Sequence, residues 1–307
     1  MICNMDYKEW TPIYKIGSIQ QNEIYVKRDD LIPCSFGGNK VRKAKLFFEE
    51  IDSGNYDTVV TYGSGSSNHC RVIANMAAAK GKHCHIISTE DNNNSANRKM
   101  VALFNADITV CNTENVSHTI KAVMDSYAAK GKRAYFIQGG GHGNIGTKAY
   151  DLAFDEIKAF EHGQNVSFDY IFHASGTGTT QAGLICGKKR YHSSSKIVGI
   201  SIARRNPRGG QIISDSVKEY CGIDAGDDLC FIDDYICGGY GHHSKDIDMT
   251  IERVLTRYGV PLDPTYTGKA FWGMEQYIKS RQIKNKTILF IHTGGTPIFC
   301  DWIKERI

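Results

Sequence analysis

Short apolar, β-branched runs alternate along the chain with longer segments whose apolar residues recur at helical spacing. Strands are predicted over 23–28, 58–62, 83–88, 107–111, 134–138, 169–173, 196–202 and 287–292. Helices are predicted over 41–50, 68–80, 95–104, 116–129, 146–161, 179–190, 211–221, 244–258 and 268–280. The middle strands are apolar along most of their length, as parallel strands buried on both faces are. Strict strand–helix alternation implies parallel sheet with helical cover. At 307 residues the chain can bury a large core, as one α/β domain or two lobes. No repeat, low-complexity tract or linker-like stretch interrupts it. Two lobes would therefore have to exchange the chain more than once.

In open α/β sheets, ligands bind beyond the carboxyl ends of the strands. Four polar, glycine-rich stretches occupy such places: Gly63-Ser64-Gly65-Ser66-Ser67-Asn68-His69, Gly139-Gly140-Gly141-His142-Gly143-Asn144, Ser175-Gly176-Thr177-Gly178-Thr179-Thr180 and Thr293-Gly294-Gly295-Thr296. The first three run straight into predicted helices. One loop would mean little; four suggest a shared cleft. Ser35-Phe36-Gly37-Gly38-Asn39-Lys40-Val41-Arg42-Lys43 adds a lysine where a glycine-rich loop becomes a helix. Orphan amides and the positive dipole end disfavour the charge of Lys40 there. An amine that must be neutral to attack a carbonyl gains from this setting. On that stretch alone, a surface lysine at a helix start is an equal reading.

Ser175 to Thr180 is the best anion cradle. Glycines let amides approach a ligand, hydroxyls add donors, and the helix N-terminus favours phosphate. Without a Gly-Lys-Ser/Thr ending it suits a terminal monophosphate better than a triphosphate. The alternative is a plain turn with a threonine N-cap. Gly141-His142-Gly143-Asn144-Ile145-Gly146 matches G-x-G-x-x-G, but the next strand ends on His173-Ala174, and its only carboxylate, Asp169, lies at its start. A nicotinamide site therefore loses its specificity element. Ser67-Asn68-His69 suits a carboxylate at a helix N-terminus, or simple capping by Ser67 or Asn68. No G-x-S-x-G elbow accompanies it.

Composition narrows the classes further. The net charge of +4, without basic runs interleaved with aromatics, gives no sign of nucleic acid. No apolar run approaches the roughly 18 residues of a membrane span. Met1 to Asp6 has neither a basic n-region nor an apolar h-region, so a cytoplasmic protein is expected. None of the ten cysteines forms a Cys-x-x-Cys pair, and all are expected as reduced thiols. His242 and His243 lack metal-ligand spacing, so no metal is expected.

Lys40 in Gly-Gly-Asn-Lys, Ser67-Asn68-His69 and the run Thr177 to Gly183 together resemble the fold-type II pyridoxal-phosphate enzymes that include D-cysteine desulfhydrase and 1-aminocyclopropane-1-carboxylate deaminase. Gly239-Tyr240-Gly241, Leu262-Asp263-Pro264-Thr265-Tyr266-Thr267-Gly268-Lys269 and Ile291-His292-Thr293-Gly294-Gly295 match as well. The matches keep the family's order from about residue 26 to 296. Each alone is weak; the ordered set is specific.

The resemblance implies two open, twisted, mostly parallel sheets with helices on both faces, as in the tryptophan-synthase β chain, and a cofactor cleft between lobes. It implies a larger domain of residues 1–45 and 156–307, a smaller one of 46–155, and a homodimer. Lys40 would bind pyridoxal 5'-phosphate as an internal aldimine and act as general base. Asn68 would meet the cofactor's phenolic oxygen, and Gly176, Thr177, Gly178, Thr179 and Thr180 would hold its phosphate. Ser67 with the Asn68 and His69 amides would receive the substrate carboxylate. Tyr240 and Tyr266 match two active-site tyrosines, one packing on the cofactor ring and either able to protonate a leaving group.

Thr267 and Thr293 stand where the deaminase branch carries glutamate and leucine. A Thr293 hydroxyl at the pyridine nitrogen makes a weaker electron sink than a carboxylate would, which favours elimination of a good β-leaving group. The expected activity is α,β-elimination from a small, D-cysteine-like amino acid to pyruvate and ammonia. β-Replacement or deamination on the same cofactor, and a nicotinamide oxidoreductase, are the alternatives. Ser66 and His242-His243 depart from the family pattern, and Arg204, Arg205 and Arg208 make the loop after 196–202 unusually basic. The arginines read as solvated surface, or one of them or a histidine of the rim recognises an acidic or polar substrate tail.

Overall fold

Among the described residues, 10–89 and 94–306 of a computed structural model, ten strands make two separate sheets. The strands are β1 Ile13–Ile19, β2 Asn22–Arg28, β3 Thr58–Gly63, β4 His83–Ser88, β5 Asp107–Val110, β6 Ala134–Ile137, β7 Tyr170–Ser175, β8 Lys196–Ser201, β9 Cys230–Ile232 and β10 Thr287–His292. The helices are α1 Asn39–Ser53, α2 Asn68–Ala79, α3 Ala96–Leu103, α4 Val116–Ala129, α5 Asn144–Gln164, α6 Thr179–Arg190, α7 Arg208–Cys221, α8 Lys245–Tyr258, α9 Thr267–Ser280 and α10 Thr296–Lys304. One sheet runs β1-β2-β10-β7-β8-β9, parallel except for the antiparallel β1–β2 edge. The other, β5-β4-β3-β6, is parallel throughout. The larger sheet thus draws strands from both ends of the chain. The boundaries expected at 45 and 155 fall inside α1 and α5.

Why the strands read as unbroken apolar runs is visible in the core. Along β10, Ile288 and Phe290 pack with Phe271 and Met274 of α9, while Leu289 and Ile291 face Tyr150 and Phe154 of α5 and Leu184 of α6. Alternate side chains enter opposite cores, so both faces demand apolar residues. In the smaller sheet, Val59 and Ile86 join α1, α2 and α3, whereas Val60 and Ile87 join Tyr127 of α4.

A buried ionic cluster fixes where α1 sits. Arg42 bonds Asp29 at 2.8 Å and Glu156 at 2.5 Å, Lys27 pairs with Glu156, and Tyr150 Oη donates to Asp29 at 2.6 Å. Burial alone would raise the Asp29 pKa, but Arg42 and Lys27 hold it well below the usual carboxylate range. Removing one partner of such a cluster costs about 3–5 kcal/mol. The cluster joins β2, α1 and α5, and α1 carries Lys40.

One expectation is corrected. Cys186 of α6 and Cys221 closing α7 form a disulfide rather than two free thiols. Packing of α6 beside α7 brings their Cα atoms to 6.6 Å, within bridging reach, although 35 residues separate them. No described helix is long and apolar enough to cross a membrane.

Candidate active site

The loops leaving β3, β6, β7, β8 and β10 at their carboxyl ends converge with the start of α1 on one cleft. Its wider part, about 490 Å³, is lined by Lys40, Ser67, Gly140, Arg204, Tyr240 and Tyr266 among others. A narrower part beside it is lined by Lys40, Asn68, the Gly176–Gly178 turn, Thr180, Tyr266 and Thr293. Lys40, Ser67, Asn68, His69, Gly176, Thr177, Gly178, Thr180, Tyr240, Tyr266 and Thr293 therefore share one place. Thr179 stands immediately behind them.

Lys40 is the second residue of α1, and Nζ donates to Gly140 O at 3.1 Å. Loss of hydration inside the protein lowers its amine to about 8. Its position depends on a backbone crossing: Asn39 N donates to Thr293 O at 3.0 Å, with Gly38 (φ 96°) against Gly294 (φ 102°). A Cβ on Gly294 would lie 2.7 Å from Gly38 Cα, so neither loop admits a side chain there.

One turn along the same helix face, Lys43 is buried, and its Nζ donates to Thr179 Oγ1 at 2.5 Å. Asn39 Nδ2 reaches Thr180 Oγ1 at 3.2 Å. Burial and then Lys40 push the Lys43 pKa well below the ordinary amine value, and no carboxylate offsets them. A buried lysine amine without a counter-charge, facing hydroxyls at the N-terminus of α6, is the setting a phosphate monoester completes. The loop after β7 therefore fits the phosphate end of pyridoxal phosphate. Lys43 was not among the residues singled out from the sequence. The signal was there: i and i+3 share a helix face.

Gly141 and Gly146 account for two glycines of the G-x-G-x-x-G coincidence. Positions 140 and 141 abut Lys40, Thr177 and Lys43, and a Cβ on Gly146 would lie 1.9 Å from Gly141 O. The glycines close their own loop and admit two lysines. They do not build a dinucleotide turn.

At the start of α2, Ser67 is the N-cap and accepts from Cys70 N at 3.2 Å, which leaves its own proton to give. Asn68 Oδ1 accepts from Asn97 Nδ2 at 2.9 Å, leaving its amide hydrogens for a ligand. Thr61 Oγ1 donates its one proton to Ile137 O at 2.7 Å, so His69 Nε2, 2.9 Å away, must donate to Thr61. Burial, then Lys40 and Lys43, lower the His69 pKa well below its ordinary value. His69 is therefore neutral.

Tyr240 and Tyr266 meet edge to face, with hydroxyls 2.7 Å apart and Ser64 Oγ 3.1 Å from Tyr240 Oη. Burial and Tyr240 raise the Tyr266 phenol well above its usual pKa, so it keeps its proton. Buried Asp263 sets the Tyr266 backbone by accepting from Thr265 N, Tyr266 N and Thr267 N at 2.7–3.0 Å. Thr267 Oγ1 also donates to Asp263, at 2.8 Å. Thr267 thus faces the cap of α9 and touches no ligand space.

Lys269, part of a matching run, was given no role by the sequence. Its Nζ donates to Ile202 O at 3.0 Å, Ile236 O at 2.8 Å and Gly239 O at 2.7 Å. It ties the loop after β8 to the turn that carries Tyr240. Of the loop arginines, Arg205 and Arg208 are exposed and only Arg204 lines the cleft. His242 and His243 are outside the lining, with His243 Nδ1 2.8 Å from Asp248.

Comparison with known proteins agrees with this geometry. The family model "Pyridoxal-phosphate dependent enzyme" matches residues 5–294. D-cysteine desulfhydrase of Serratia proteamaculans (strain 568) is 32% identical over 94% of this chain and 92% of its own. D-cysteine desulfhydrase of Yersinia pestis (strain Pestoides F) is 33% identical over the same shares. The crystal structure of an ACC deaminase homologue superposes with a TM-score of 0.88 at 29% identity, covering 97% of this chain and 94% of the other. The chain belongs to the pyridoxal-phosphate-dependent enzymes of fold type II, in the family of the D-cysteine desulfhydrases and ACC deaminases, and is a lyase using that cofactor.

Proposed function

We propose that the protein catalyses α,β-elimination on a small β-substituted amino acid of the D-cysteine kind, releasing the leaving group and, after hydrolysis, pyruvate and ammonia. One observation carries this reading. A depressed lysine amine and a pair of hydrogen-bonded phenols line the same cavity. Elimination needs a base at Cα and an acid at the departing β-substituent, and those groups supply both.

When bound, the cofactor supplies the electron sink that makes the Cα proton removable. Lys43, Thr179 and Thr180 would hold its phosphate, and Asn68 would give its amide hydrogens to the phenolic oxygen. Thr293 would offer the pyridine nitrogen a hydroxyl rather than a carboxylate, a weaker sink that suits a good leaving group. Ser67 and the amides opening α2 bind the substrate carboxylate. Lys40 Nζ takes the Cα proton. The Cβ–sulfur bond breaks with its electron pair to sulfur, and the Tyr240–Tyr266 pair returns a proton to it.

A panel of D- and L-amino acids, scored for pyruvate, sulfide and ammonia with and without an added thiol, tests the reading. D-cysteine is expected to give sulfide and pyruvate in equal amounts. Pyruvate suppressed by the thiol would establish β-replacement instead, and no pyruvate from any β-substituted substrate would sink elimination.

A further inference from the structure

We propose that Arg204 makes the far side of the cleft an oxyanion subsite, so that the favoured substrates are β-substituted amino acids whose leaving group carries its own acidic group. The inference rests on the elimination reading above and names its substrate class.

Arg204 follows β8 directly and lines the same cavity as Lys40, Ser67, Tyr240 and Tyr266. Its Nη1 is shielded from solvent and has no hydrogen-bond partner among the described residues. A guanidinium N–H left bare in that way is costly, and a buried one normally finds an acceptor. The other enclosed arginines do so. Arg28 bonds Asp30, Arg42 bonds Asp29 and Glu156, and Arg71 bonds Asn97 and Ser35. Arg204 lacks such a partner at Nη1 among the described residues, and it lines the cleft.

The surroundings select an anion. Among the described residues the cavity lining includes Lys40 and Arg204 and no aspartate or glutamate. Burial, then Arg208, lower the Arg204 pKa, a sign of a cation without a counter-charge. The backbone that carries Arg204 is anchored. Ser201 Oγ donates to Arg204 O at 2.6 Å, Lys269 holds Ile202 O, and Asp233 accepts from Asn206 N at 2.9 Å just beyond. The substrate's own α-carboxylate already has a place at Ser67–His69 on the other sheet. A second acidic group is what remains for Arg204. A planar guanidinium matches carboxylate, sulfonate and phosphate alike through paired N–H donors.

The test compares S-carboxymethylcysteine with its uncharged isostere S-carbamoylmethylcysteine, and adds S-sulfocysteine as a second acid, in both enantiomers. In each, Cβ–sulfur cleavage sends the electron pair to sulfur, releasing mercaptoacetate, mercaptoacetamide or thiosulfate. The wild-type holoenzyme is expected to favour an acidic substrate over the amide by about tenfold or more in kcat/KM, mostly through KM. Arg204→Met should bring that ratio to about one. The faster acid identifies the tail. Titration calorimetry with the same compounds separates this proposal from its parent. If none yields pyruvate but the acids still bind tighter than the amide, elimination fails and the subsite stands. Equal handling of acid and amide by the wild type, or an equal loss of both in Arg204→Met, would overturn the subsite.

Discussion

The two ends of the cleft are built differently. At the phosphate end, Lys43, Thr179, Thr180 and the Gly38–Gly294 crossing are mostly buried and tied by bonds within the protein. At the substrate end, Tyr240 is 38% exposed, held by two hydroxyls, and Arg204 lines the cavity with Nη1 unpartnered among the described residues. The first end is a backbone shape that few sequences make. The second is a set of side chains on loop tips, which can change without disturbing the frame. On the proposed reading, cofactor binding is set by architecture and substrate choice by the rim.

Three further experiments would break or sharpen that contrast. Lys43→Met should weaken cofactor affinity by about 10–100-fold, the value of one charge-assisted bond, with kcat at saturating cofactor largely kept. Reconstitution of the apo-enzyme with increasing pyridoxal phosphate reads this directly, and unchanged affinity would place the phosphate elsewhere. On the proposed reading Lys40 would add to the cofactor aldehyde only as the free amine, and its pKa is lowered to about 8. Uptake by apo-enzyme should therefore quicken about tenfold between pH 7 and 9 and level off above. A stopped-flow trace that is flat across this window would remove Lys40 as the attacking amine. Tyr240→Phe is the mildest change, because Tyr266 and Ser64 remain. It should lower kcat by about tenfold or less, a good leaving group asking little of its acid. Cofactor affinity should not move, and if it did, the two ends would not be independent.

Much of this was legible because parallel strands buried on both faces leave an unbroken apolar signature. The eight predicted strands all exist. β1 escaped because it is a half-exposed edge strand with a register shift at Gly17, and β9 because it has three residues. α10 is short and begins at Thr296-Pro297, so the loop after β10 does open a helix. Among site residues, those in glycine-flanked loops announced themselves. Lys269 did not, since its partners are carbonyls of residues 202, 236 and 239, which carry no sequence mark. Arg204, Arg205 and Arg208 look alike in sequence, and only the fold says which turns inward. The Cys186–Cys221 pairing depends on helix packing, not on spacing.

Three carbonyl oxygens converging on one point make a receptor for a cation. In this chain the cation is Lys269, attached to α9 and delivered by folding itself. Its occupancy is therefore independent of the salt around the protein. The turn that presents Tyr240 and the loop that presents Arg204 keep a common anchor whatever ions the medium contains.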